Sequence, residues 1–268
     1  AIQEQWQKHD WSRLAIRGDQ LIAETDSTGQ ASDSRHPRLL QLLSPESLLR
    51  IADAVRQQHG GARAAEVWDL VFAYLEDESG SDGAPIPRHV GGEHFDLIMR
   101  CVESSFRYRS TWQATRRVRL LRLAADSSLR QTIATMFDGQ IQMRRAAFDS
   151  ARKLFHDVVD ESVGVVVDAQ QLDAARDLRA RAQFLIGETY LMQDKFGLAI
   201  SAYRRVEPIQ AEGHWAAAAL VQAGKSFERL GRSQESRLCY ERLLQRFPRS
   251  RFVAVAQQRI EGLPVNRN

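Results

Sequence analysis

Cysteine is nearly absent from this chain, and that scarcity is its first constraint. Cys101 and Cys239 are the two in 268 residues. Each falls inside an amphipathic stretch, so both are expected as buried free thiols. A bridge between them would have to join distant parts of the chain. No CxxC pair is present to build a zinc or thiol-redox centre. Long apolar runs are missing too: none approaches the roughly 20 residues that a membrane-crossing helix needs. Gln3, Glu4 and Lys8 stand where the apolar core of a leader peptide would be. Neither sign of charge dominates, with 37 Lys and Arg against 34 Asp and Glu, so the net +3 gives little bulk drive toward a polyanion. HExxH, GxSxG and a Gly-rich phosphate loop are all absent. His156, Asp157, Asp160 and Glu161 cluster, and His156 shares a helical face with Asp160, but a solvated helix end accounts for them. The expectation is no catalytic residue, no metal and no cofactor.

What the chain does have is helical periodicity. Ile186, Tyr190 and Gln193, then Leu198, Ala199, Ala202, Tyr203 and Val206, recur at steps of three and four. Asp194 and Lys195 mark a short turn between two helices. A second pair reads from Trp215 to Leu230 and from Ser233 to Phe247, with its turn at Gly231–Arg232 and its stop at Pro248. A last helix over 252–263 puts Val253, Ala256 and Ile260 on one stripe, as a cap for the open end. Upstream, Ser44-Pro45-Glu46-Ser47 has the cap, proline and early acid of a helix start. Leu48, Ile51, Ala52 and Val55 follow it, and after Gly60–Gly61 come Ala64, Trp68, Val71 and Leu75. Phe95–Phe106 and Thr111–Ala124 form a further pair, whose register is ambiguous because Trp112 and Ala114 favour different alignments. His9-Asp10-Trp11 through Ile22 reads as a helix without a full partner. Loose segments are expected at 25–37 and 76–92, and a loop or packed turn at 161–173 despite the β-prone Val165–Val167.

Two of the helix pairs share a signature. After Gly187 an aromatic follows at three residues (Tyr190), a small residue at twelve (Ala199) and a second aromatic at sixteen (Tyr203). After Gly224 the same places hold Phe227, Ser236 and Tyr240, with Pro248 at twenty-four. Gly139, Ala151 and Phe155 repeat the spacing once more, with Gln142 in place of the first aromatic, and Phe148 matches Phe196 at the start of the second helix. Self-similarity at a fixed period marks a repeat protein.

These residues resemble the tetratricopeptide repeat (TPR) family, helix–turn–helix units of about 34 residues. The likeness is firmest over 183–248 and extends back to 132. The two best copies are offset by 37 residues, which places an excess around 207–213, and Gln183 and Leu220 occupy the family's leading tryptophan. The resemblance implies an all-α, right-handed superhelical solenoid of about four to five degenerate pairs with a C-terminal capping helix. Residues 1–92 would be degenerate N-terminal repeats and 93–268 the array, clearest at 132–248. Gly187 and Gly224 would sit where a neighbouring helix leaves no room for Cβ.

The same resemblance aims the first helix of each pair at a concave groove, with Met136, Gln140, Met143 and Arg144, then Arg181, Phe184, Glu188 and Leu191, then Lys225 and Arg229 facing it. Polarisable Met among cations suits an adaptable site for an apolar peptide or helix with acidic flanks; alternatively, Met136, Phe184 and Leu191 serve packing. Glu188 and Lys225 occupy the place of the Asn in the carboxylate clamp of the chaperone-type subfamily, which argues against such a clamp. The function implied is a non-enzymatic scaffold or adaptor within a larger bacterial assembly. Residues 246–263 look similar to cell-envelope members of the family, which points to a periplasmic or cell-envelope setting and leaves a cytoplasmic one open. Two alternatives stand beside this. Arg-rich stretches at 100–122 and 232–259, with Phe106, Tyr108 and Trp112 interleaved, invite nucleic-acid or anionic-surface binding. Glu103-Ser104-Ser105-Phe106 resembles the start of a lytic transglycosylase active site, but the glycine-rich segment expected after it is missing.

Overall fold

A computed structural model describes residues 11–28, 43–77, 86–87, 90–161 and 169–264. They are helical throughout, apart from connections and one two-residue antiparallel pair, Glu76–Asp77 with Ile86–Pro87. Within each unit, helices that neighbour in sequence pack against one another. The chain divides into two compact units, 1–130 and 131–268.

In the first unit, α1 (Trp11–Thr28) packs on α2 (Pro45–His59), which pairs with α3 (Gly61–Leu75); α4 (Phe95–Tyr108) pairs with α5 (Thr111–Ala124). The expected helix start at Ser44 is present: its hydroxyl accepts from the Ser47 amide at 3.2 Å, and Pro45 opens the first turn. Gly18 lets α1 approach α2 closely, since a Cβ there would lie 2.2 Å from Val55 Cγ2. Two expectations need correction. Residues 25–28 continue α1 instead of opening a loop, and the 76–92 segment holds the short β pair at 76–77 and 86–87; residues 29–42, 78–85 and 88–89 lie outside the described parts. The pair of ambiguous register is joined through Arg117. Lying sixteen residues after Cys101, it donates to the Cys101 carbonyl at 3.1 Å and to Ser105 Oγ at 2.7 Å.

The second unit consists of α6 (Ser128–Arg144, which begins just before the division), α7 (Phe148–Glu161), α8 (Ala169–Leu191), α9 (Phe196–Arg204), α10 (Val206–Ile209), α11 (His214–Arg229), α12 (Ser233–Arg246) and α13 (Val253–Gly262). Helix α8 starts at Ala169, inside the expected 161–173 connection, which is shortened accordingly; Val165–Val167 lie outside the described residues. The excess at 207–213 is accommodated largely by the extra turn α10, which anchors its buried Val206.

One contact builds each hairpin. A Cβ on Gly139 would come within 2.5 Å of the Phe155 ring, on Gly187 within 2.3 Å of Tyr203, and on Gly224 within 2.6 Å of Tyr240. All three aromatics are buried, and each buried ring is worth roughly 1.5–3 kcal/mol. The turns repeat as well. Ala146, Asp194 and Gly231, each seven residues after its glycine, have φ of 58°, 55° and 71°. The next amide reaches back across the turn, from Ala147 to Gln142 O at 2.9 Å, Lys195 to Tyr190 O at 3.0 Å and Arg232 to Phe227 O at 2.9 Å. This is the six-to-one hydrogen bond of a Schellman termination. Gln183, in the family's tryptophan place, is buried and donates to Ala202 O at 3.0 Å. Ala256 of α13, with Leu263 just after it, packs against Val221, Tyr240 and Leu243.

Candidate functional site

The first helices of the three hairpins, α6, α8 and α11, carry every residue assigned to the groove. Their burial separates them into two groups. Met136 is 1% exposed and belongs to the interior. Phe184 packs its ring 5.5 Å from Tyr203 and 5.4 Å from Trp215, and Leu191 lies against the cluster of Ala180, Ala199 and Tyr203. These three shape the layer beneath the surface. Gln140, Met143, Arg181, Glu188 and Lys225 are half-buried, while Arg144 and Arg229 are exposed. The Gln140 amide nitrogen is buried without a partner. Arg181 stands between aromatic faces, 5.6 Å from Phe137 of α6 and 5.8 Å from Trp215 of α11. Arg229 lies 3.6 Å from Asp194 and over Phe196. Met192, at the end of α8, is 56% exposed.

Glu188 has a structural role. It accepts from Tyr203 Oη at 2.5 Å and from Gln222 Nε2 at 2.8 Å, tying α8, α9 and α11 together. Glu228 does the same one hairpin on, accepting from Tyr240 Oη at 2.5 Å and from Arg259 at 3.0 Å, which fastens α13. Burial, reinforced by these carboxylates, pushes both tyrosine hydroxyls well above their ordinary pKa, so they act as hydrogen-bond donors. Sequence reasoning missed Gln222, Trp215 and Arg152. The last, on α7, is buried, donates to Thr189 of α8 and to Gln193 in the turn after it at 3.2 Å each, and covers the Tyr190 ring at 4.3 Å. No local sequence signal marks an arginine that reaches into the next hairpin.

The arginine-rich stretches are largely occupied internally. Asp69 receives both Arg117, which is 3% exposed, and Arg109 at 2.5 Å. Arg100 pairs with Glu103 at 3.2 Å and Arg232 with Glu235 at 2.5 Å; Arg242 (2.6 Å) and Arg246 share Glu207. Trp112 is exposed and covered by its neighbour Arg116. The Glu103 carboxyl, half-exposed and ion-paired, lacks the dry setting that a proton-donating glycosidase acid uses. His156 and Asp160 are exposed, and no group of three or more His, Cys, Asp or Glu placed to hold a metal occurs among the described residues. Both cysteines are free; Cys101 is buried and Cys239 half-buried.

Residues 218–250 match the tetratricopeptide repeat family, a span that runs from within α11 to just past α12. No curated protein matches the chain. Among the described residues no helix is long and apolar enough to cross a membrane. A tetratricopeptide repeat is characteristic of protein–protein interaction, and the match covers one helix pair, α11 with α12, of an all-α chain.

Proposed function

We propose that the chain is a non-enzymatic adaptor or scaffold whose second unit presents the faces of α6, α8 and α11 to a peptide or helix of a partner protein. The thrice-repeated Gly–aromatic hairpin carries this reading, with the repeat match lying over its last copy. Such hairpins cannot bury their apolar faces alone, and stacking them leaves an extended surface suited to a chain-like ligand. In this reading the pairs of the second unit wind as a right-handed superhelix, and those upstream of residue 131 are degenerate members of the same class. Met143 and Met192 supply adaptable apolar contact. Arg144, Arg181, Lys225 and Arg229 supply positive charge, so the partner segment is apolar with acidic flanks. Met136, Phe184 and Leu191 hold the layer below. The envelope setting, and membership of a bacterial assembly, rest on the resemblance of residues 246–263.

The test is comparative capture of partners from a cell extract, using the wild-type chain and a Met143→Ala, Lys225→Glu, Arg229→Glu variant with matched helicity by circular dichroism. Loss of a few kcal/mol of contact reduces affinity roughly tenfold or more, so partner yield should collapse. Equal recovery of the same partners would discard this face as the binding surface. Phe184→Ala is a poor probe, because it unpacks Tyr203 and Trp215 as well.

A further inference from the structure

On the second unit, the approach to α11 and the turn between α12 and α13 enclose an open cleft of about 870 Å³. Arg246, Arg249, Arg251 and His214 all line it, with Glu212 as the acid on its wall. Arg246 is already engaged, by Glu207 and by the Ala211 carbonyl at 3.2 Å, and Glu207 also serves Arg242. Arg249 and Arg251 have no carboxylate partner among the described residues. Arg251 is instead positioned by neutral groups. Its Nη2 lies 3.1 Å from His214 Nε2 and its guanidinium covers Phe252 at 4.9 Å, while Phe252 stacks on the His214 ring at 5.5 Å.

The Arg251 guanidinium is thus oriented by the neutral His214 ring and by Phe252 while its charge meets no carboxylate, and an anion in the cleft would neutralise it. His214 registers the same field: burial and then Arg251 lower its pKa, against the opposing charge of Asp177 on α8. Helix α11 adds its positive end, with neither a side-chain cap nor an acid in its first turn. The basic side chains carry the argument; the helix end only strengthens it.

We propose that this cleft binds a phosphate group, with Arg249 and Arg251 as its principal donors. A doubly charged tetrahedral oxyanion matches forked guanidinium donors better than a halide or a single carboxylate does. The open mouth leaves room for whatever the phosphate is attached to. The proposal does not depend on the partner-binding face described above.

The experiment titrates the full chain with inorganic phosphate at fixed ionic strength set by sodium chloride, and follows the His214 ring by NMR, assigned with His214→Gln. The shift is expected to saturate, and His214 should titrate at higher pH with phosphate present. Arg249→Ala with Arg251→Ala should weaken binding at least about tenfold, since it removes both forked, charge-assisted donors. Should that pair fail to fold, Arg249→Glu alone carries the test, since Arg249 is exposed. A parallel arm sediments vesicles with and without phosphatidic acid. A response to free phosphate alone identifies a soluble source, and variant-sensitive vesicle binding identifies a headgroup. Both uphold the cleft. A non-saturating response, or one that the arginine variants leave unchanged in both arms, overturns it as general ionic screening.

Discussion

Gly187 occupies a helix interior where alanine would ordinarily gain about 1 kcal/mol in propensity. The 2.3 Å approach to the Tyr203 ring outweighs that gain. Gly187→Ala should therefore destabilise the protein by about 1–3 kcal/mol, measured as a lower urea midpoint, because the inserted methyl displaces a buried ring. Ala146 presents the reverse case. It holds φ 58° at the place where the third hairpin has Gly231. Ala146→Gly should raise stability by about 0.5–1 kcal/mol by removing left-handed strain, a gain readable in the same melts. Thiol reactivity should divide just as plainly. Burial above all pushes the Cys101 thiol up to about 12, whereas Cys239 is half-buried at a cleft between Arg204 and Arg242. A maleimide at neutral pH should label Cys239 well before Cys101, as mass mapping would show.

At the scale of elements, Asp69 on α3 joins α4 and α5 through Arg109 and Arg117. Asp69→Ala leaves the Arg117 guanidinium buried without its counter-charge and should cost about 3–5 kcal/mol, whereas Arg117→Met should cost much less, since it removes the buried charge along with its need for a partner. Comparing the two denaturation midpoints distinguishes an ion pair kept for stability from one that merely must not be broken. The hairpins themselves were legible from residue spacing, because a glycine and an aromatic sixteen apart are a local pattern. The Arg117 and Arg152 networks were not, since each depends on which residue of another helix arrives opposite. The burial of the residues proposed for the groove was not legible for a related reason. Helical periodicity gives a side chain's face, but whether Met136 meets solvent or the interior depends on what packs against that face.

At the scale of the whole molecule, the arginine count overstates the available positive charge, because Glu207, Glu235, Glu103 and Asp69 each hold at least one guanidinium. Oligonucleotide binding should therefore be weak and disappear by about 0.15 M salt, the behaviour of diffuse phosphate contacts, as fluorescence anisotropy would show. Composition alone could not reveal this pairing. The class of fold was readable in each unit from periodicity and helix-start signals, strongly after residue 131, where the three-copy spacing adds to them. Before it, Trp68 and Arg117 follow Ala52 and Cys101 at the same sixteen-residue interval, but without the glycine that makes the later spacing conspicuous.

The Gly–aromatic contact also bears on how the chain reaches its fold. Its two halves lie only sixteen residues apart, at Gly139 and Phe155, Gly187 and Tyr203, Gly224 and Tyr240. Bringing them together closes a short loop at small entropic cost. Each hairpin thus has its own nearby nucleus, available while the ribosome is still making the next one.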